Sequence, residues 1–395
     1  MKPRHCLLIL LVAIGCAPGA DRPAPPTALG TVTMASCRGC HQAIVDRYLG
    51  TAHANTSAPG TKASIKGSFE PSHSVLRTGQ PNISFRMEER GQAFYQTALD
   101  AGLARSRTER IDLVIGSGRK GQSYLYWRQH LLLQLPVSYL TGLNQWINSP
   151  GYRDGEVDFT RVIPPRCLEC HSTSFGLERD AQGALQYAPQ YTLGITCEKC
   201  HGPATEHLQH QTSHPEQKAA TGILNPAKFT RERQLDNCAL CHSGPRRLRQ
   251  PPFSYRPGAP LDSFLVAQTG AENPNPDVHG DQIGLLRRTK CFQASPAMTC
   301  STCHDVHGQE RDLVPLAQKC LSCHQTSRHP NRAAIGDRMV PSCINCHMPD
   351  QPSSALRINT PTGHFAPSYR SHAIGIYPAA AAMLGKRRYN GSKRQ

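Results

Sequence analysis

Seven times along this chain two cysteines stand three residues apart with a histidine directly after the second. The sets are Cys37, Cys40 and His41; Cys167, Cys170 and His171; Cys197, Cys200 and His201; Cys238, Cys241 and His242; Cys300, Cys303 and His304; Cys320, Cys323 and His324; and Cys343, Cys346 and His347. Two thiols at that spacing reach both vinyl groups of one porphyrin as thioethers, while the adjoining imidazole reaches the iron from one side. The implied chemistry is covalent attachment of haem c, seven times over, with each motif histidine as the proximal ligand. With 17 cysteines and 19 histidines in 395 residues, composition alone would give about 0.03 such motifs, so the repeat is not accidental. Structural zinc pairs two CxxC units without needing a histidine after each, and a disulfide framework belongs to short secreted chains. Neither accounts for a histidine at all seven positions.

A low-spin haem suited to electron transfer takes a second imidazole on its other face, whereas an open sixth position admits a substrate. Eleven histidines remain outside the motifs and the first fifteen residues, enough for seven irons. The preferred distal set is His53, His73, His207, His279, His307, His364 and His372. His207 and His307 lie too close to their own motifs to fold back easily, so they are expected to ligate neighbouring haems and stitch the stack together. His130, beside Leu131 to Leu133, is expected to be structural, and His210, His214 and His329 are left over. Cys291 is the odd thiol. An inert buried cysteine is the expectation there, with thiolate ligation of one iron as the alternative.

The gaps between successive first cysteines are 130, 30, 41, 62, 20 and 23 residues, so most motifs leave room for one helix or loop each. Only 2 Trp and 10 Phe are available to fill an interior, while Pro reaches 32. Buried porphyrin plates would supply the apolar driving force instead. The expected fold is therefore a multihaem cytochrome c, mainly α with extensive coil around a haem-stacked core. A small β insertion is expected near residues 67–140, where Ser84 to Glu89 and Ser123 to Trp127 alternate or cluster like strands between glycine turns. Ile115 to Gly121 superficially resembles a phosphate loop, but it lacks the Gly-Lys-Ser/Thr ending and is taken as a turn.

The expected order is a signal peptide at 1–15, a lipid-anchored Pro/Ala linker at 16–36, the first haem with the β insertion at 37–160, and haems two to four at 161–250. A coil linker at 251–290, haems five to seven at 291–375 and a basic tail at 376–395 follow. Lys2 and Arg4 precede the apolar run Leu7 to Ile14, and Ala13-Ile14-Gly15-Cys16 resembles a lipobox that would make Cys16 a diacylated first residue. A plain secreted protein cut nearby is the alternative. Ala17 after the anchor favours the outer membrane over retention at the inner one.

The formal charge of +16 raises the question of nucleic acid. Loss of Lys2 and Arg4 with the leader lowers it to +14, and seven haems with ionised propionates bring it to about +7 when ferric and about zero when ferrous. No nucleic-acid partner is expected. Arg246, Arg247 and Arg249 are candidates to pair with propionates, a solvated basic face being the equal alternative.

Several segments beyond the motifs resemble the multihaem cytochromes related to cytochrome c-554. They are Ala35 to His41, Ile115 to Gly118 with Gln122 to Leu125, Gln134 to Tyr139, Cys197 to Pro203 with His207, Cys300 to Asp305 with His307, and Cys346 to Pro349. The resemblance implies closely stacked haems in a mainly helical, coil-rich frame, with mostly bis-histidine irons and sometimes one five-coordinate iron. It also implies His53, His207, His307, His364 and His372 as distal ligands.

The function expected is electron transfer by a heptahaem cytochrome in the periplasm or at the outer membrane, between other redox proteins as donor and acceptor. The alternative is an oxidoreductase acting on nitrite, hydroxylamine or a sulfur oxyanion at one five-coordinate haem. No Cys-x-x-Cys-Lys occurs to favour it. A structural role within a conduit or filament is a third reading.

Overall fold

A computed structural model describes residues 32–267, 281–310, 312–353, 358–360, 363–380 and 382. The signal peptide, Cys16, most of the Pro/Ala linker, His279 and most of the basic tail lie outside the described residues.

The chain opens with α1 (Met34–Leu49), started by Thr33, whose side chain accepts from the Ser36 N–H, and bent at His41. Ten strands follow: β1 (Ser57–Pro59), β2 (Val75–Arg77), β3 (Ile83–Arg90), β4 (Ala93–Asp100), β5 (Arg105–Arg110), β6 (Leu113–Ile115), β7 (Gly121–Arg128), β8 (Leu131–Gln134), β9 (Val137–Leu140) and β10 (Gln145–Asn148). They form two antiparallel sheets. One runs in the order β2-β3-β4-β5, and the other in the order β1-β6-β7-β9-β10 with β8 also on β7. Gly91, in the left-handed region at φ +62, starts the tight turn between β3 and β4.

The sheets pack face to face through a core that includes Phe85, Met87, Phe94, Tyr124, Tyr126, Val137, Tyr139 and Trp146. Gln96 is buried between them, donating to the Val137 carbonyl at 2.7 Å and accepting from the Val137 N–H at 3.1 Å. A side-chain amide so satisfied costs little to bury and locks one sheet onto the other. On the opposite face of β7, Leu125 packs with Leu113, Leu132, Phe175, Tyr187 and Leu168. Leu168 belongs to α2 (Pro165–His171), and Phe175 and Tyr187 to the hairpin of β11 (Ser172–Arg179) and β12 (Leu185–Leu193). The sheet thus carries the second motif on its back.

The expectation of a mainly α protein is wrong. The structure is about 31% helical and 27% strand, with several antiparallel sheets. The composition argument failed because the few aromatics are concentrated, not scattered: both Trp residues and much of the Phe and Tyr content pack in or against the β region. That region has a side-chain core of its own and needs no porphyrin to fill it.

The remaining motifs sit on short helices. The helices of this part are α3 (Cys197–His201), α4 (Thr205–Ser213), α5 (Arg231–His242), α6 (Gln282–Arg287), α7 (Lys290–Ala294), α8 (Leu313–Cys320), α9 (Arg332–Ile335) and α10 (Met339–His347), and the fifth motif begins on a 3-10 turn at Cys300–Thr302. Thr230 and Asp312 cap α5 and α8. None of these eight exceeds twelve residues, about the length at which an isolated helix is marginal, so packing must hold them.

Candidate haem sites

None of the fifteen described cysteines is in a disulfide, and fourteen of them are in the motifs. Thiols of different motifs touch. Cys37 meets Cys197, Cys170 meets Cys241, and Cys238 meets Cys300. Further on, Cys303 lies near Cys320, and Cys320 near Cys343. Cys200 of the third motif also lies near Cys238 of the fourth, so the motifs form a connected series rather than seven separate sites, with the fourth beside the second, third and fifth.

Two axial imidazoles on one iron, each bonded at about 2 Å, put their ring centroids about 6.3 Å apart. The described residues bring five motif histidines into pairs at that separation. His41 faces His207 at 6.4 Å, His201 faces His307 at 6.0 Å, and His242 faces His53 at 6.1 Å. His304 faces His372 at 5.9 Å, and His347 faces His329 at 6.2 Å. That separation is also one at which a metal could sit between two ring nitrogens.

Burial tells the same story. Burial and the neighbouring His53 and His304 push the His242 imidazole down to about 4, and burial with His304 and His242 does the same to His372. Burial also lowers His53 and His307. Such rings are neutral at pH 7, the form that coordinates iron. His242 and His53 nonetheless expose surface to solvent.

The other ring nitrogen is often occupied. Nδ1 donates to the carbonyls of Leu224, Thr221 and Gly375 from His201, His207 and His347, at 2.9, 2.9 and 2.8 Å. His372 donates to Gln282 Oε1 at 2.7 Å, and His304 to Glu310 Oε2 at 2.5 Å. Fixing the proton on Nδ1 leaves the Nε2 lone pair for a metal. His329 is held differently, its Nδ1 accepting from the Asn331 N–H at 3.1 Å.

The frame explains the long-range pairs. Thr56 and Ser57 donate to the His171 carbonyl, both at 2.7 Å, and Ile195 N–H donates to the His53 carbonyl at 3.0 Å. The loop after α1 is thereby clamped between the second and third motifs. Gly194 permits the approach: it sits at φ +67, and a Cβ there would come within 2.3 Å of the Ala54 carbonyl oxygen. A cavity of about 520 Å³ beside the fifth motif, lined by Cys303, His304, Glu310, Leu316 and Lys319, falls within the usual range for small-molecule sites. Donor types, spacing and gaps all fit covalently bound haem.

Of the distal set read from the sequence, His53, His207, His307 and His372 face motif histidines. His73 is exposed, with Ser72 Oγ 2.8 Å from its Nδ1, and His364 is exposed on a hairpin. His279 lies outside the described residues. His329 was missed, because Ser327-Arg328-His329-Pro330 looks like any surface turn. His324 is exposed, and no second imidazole lies beside it among the described residues. Arg246 bonds Ser243 and Asp262, while Arg247 and Arg249 are exposed. Cys291 is half-buried with its sulfur 3.3 Å from Thr289 Oγ1.

Comparisons with known proteins find cytochromes. The family model described as cytochrome c554 and c-prime matches residues 151–202, which hold the second and third motifs. A multiheme cytochrome MtrA from Shewanella baltica is 26% identical over 182 residues, covering 42% of this chain and 53% of its own length. The chain is a multihaem c-type cytochrome. It spans about half the length of that curated relative. An undecaheme cytochrome from the S-layer of Carboxydothermus ferrireducens aligns over 90% of this cytochrome and 53% of its own chain, at a TM-score of 0.42 and 15% identity. No described helix of the cytochrome is long and apolar enough to cross a membrane.

Proposed function

We propose that this cytochrome carries seven haems c and passes electrons along them between redox partners outside the cytoplasm. One-electron exchange between neighbouring irons, with no bond made or broken, is the chemistry that the bound cofactor supplies. The polypeptide sets spacing, ligation and electrostatics. The observation that carries the reading is the set of five histidine pairs at 5.9–6.4 Å. His207 and His307 act across motifs, on the first and third, so each tethers one site to another.

Intact-mass measurement of natively matured protein is expected to show seven added haem masses. Electron paramagnetic resonance of the oxidised protein, quantified against total iron, should assign at least four irons to low-spin species, those of the pairs other than His347–His329, whose His329 Nδ1 is an acceptor. A mass increment below seven, or a mostly high-spin spectrum, would count against the proposal.

A second reading is favoured by exposed His324, which lacks a neighbouring imidazole among the described residues. There the sixth iron would be open to nitrite, hydroxylamine or a sulfur oxyanion. A high-spin signal that responds to nitric oxide in the intact protein and disappears on Cys320→Ser with Cys323→Ser would support it.

Export is supported by the leader, and by the attachment of haem c outside the cytoplasm. Cys16, after Ala13-Ile14-Gly15, serves in this proposal as the lipid anchor. Changing Cys16→Ala is expected to move the protein from the membrane pellet to the soluble fraction without altering its haem content. An unchanged distribution would exclude the anchor.

A further inference from the structure

Of the five axial candidates described above whose Nδ1 donates, one motif histidine has a different kind of acceptor. His201, His207 and His347 turn Nδ1 to peptide carbonyls, and His372 turns it to the amide oxygen of Gln282. His304 turns it to a carboxylate, Glu310 Oε2 at 2.5 Å. The other oxygen, Oε1, accepts from the Asp305 N–H at 2.6 Å. Glu310 is thus pinned at two points, by the motif histidine and by the residue directly after it. Its side chain is only 25% exposed, so water screens the contact weakly.

The position matters as much as the contact. Cys300 of the same motif meets Cys238 of the fourth, and Cys303 lies near Cys320 of the sixth. His242 and His372 also lie close enough to influence each other. The fifth site therefore links the early motifs to the late ones.

An imidazole that donates to a carboxylate is a stronger electron donor to its metal than one that donates to a peptide carbonyl, and stronger donation favours the ferric over the ferrous state. We propose that Glu310 is a positioning residue that lowers the potential at the fifth haem through His304, setting an energetic step between the two halves of the chain. The inference rests on the haem reading given above, and it assigns to Glu310 a role in redox tuning.

The test is a spectroelectrochemical titration of the natively matured protein with Glu310→Gln, which keeps an oxygen acceptor and removes its charge. One wave is expected to rise while the others hold, changing the fifth haem's electron-sharing equilibrium with its neighbours about tenfold, equivalent to about 59 mV for a one-electron couple. Haem mass and the low-spin spectrum should stay as in the parent. Glu310→Asp, which keeps the charge on a shorter arm, is expected to shift the same wave less. Unmoved waves in Glu310→Gln with seven haems present would overturn this inference alone. So would loss of a haem in either variant, which would make Glu310 a merely structural support, or an equal shift in both. Absence of haem from the peptide bearing Cys300 and Cys303 in the parent protein would instead sink the underlying haem reading.

Discussion

Replacing Cys238 and Cys241 together by serine is expected to remove one haem mass and to slow electron equilibration between the early and late motifs by orders of magnitude. The fourth motif joins the second to the fifth. Cys241 touches Cys170 of the second motif, Cys238 touches Cys300 of the fifth, and His242 faces His53 from the loop after α1. Arg166 of α2 donates to the Leu240 carbonyl, which fixes the second motif against the fourth. Serine cannot form the thioethers, so the site would lose both its covalent attachment and the plate that separates His242 from His53. The emptied slot would also destabilise its surroundings. Truncating one large buried aromatic costs about 3–5 kcal/mol, and a porphyrin is larger, so a loss of at least about 4 kcal/mol is expected against a typical total of about 5–15. Intact mass reads the first effect, stopped-flow reduction the second and thermal unfolding the third. Equilibration as fast as in the parent, with six haems confirmed, would mean that electrons bypass the fourth site.

The proposed attachment motifs are legible in the sequence because thioether formation demands a local pattern, two thiols and an imidazole within five residues. Distal ligands obey no such rule. His53 and His242 are brought together by the clamp of Thr56, Ser57 and Gly194 on the second and third motifs, a tertiary arrangement with no sequence signature. His207 and His307 were within reach of reasoning only because they lie too near their own motifs to serve them. His329 had no signal at all, since Ser, Arg and Pro around it suggest a turn and nothing more.

The β region was placed by its glycine turns and two strand-like runs, but its extent was underestimated. The physical reason is burial on both faces. In β7 Tyr124 and Tyr126 enter one core while Leu125 enters the other, and all four residues of β9 are buried. Strands covered on both sides lose the alternation that marks a half-exposed strand, and short apolar runs of this kind resemble buried helix. The aromatic count was low for the whole chain yet sufficient for one module.

That contrast carries the second large prediction. In the chain produced without its leader in a cytoplasm lacking haem-attachment machinery, residues 75–148 are expected to remain folded while the motif helices unfold. Residues 75–148 contribute fourteen buried side chains to one cluster, and Gln96 bridges the two sheets. Between Leu313 and His347, by contrast, only Ala317, Met339 and Ile344 are buried apolar side chains, and the helices α8, α9 and α10 span eight, four and nine residues. Helices that short do not persist without packing partners. Hydrogen exchange should separate the two regions by about 3 kcal/mol or more of opening free energy, over a hundredfold in protection. Slow exchange in α10 of the haem-free chain would show that side chains alone can hold the late motifs. Fast exchange through β3, β4 and β7 would show that the sandwich depends on the haem-bearing part for its stability. Either result would break the division of labour proposed here, in which a self-sufficient β module presents the second motif and clamps the loop bearing His53, while the other motifs gain their order from the cofactors they hold.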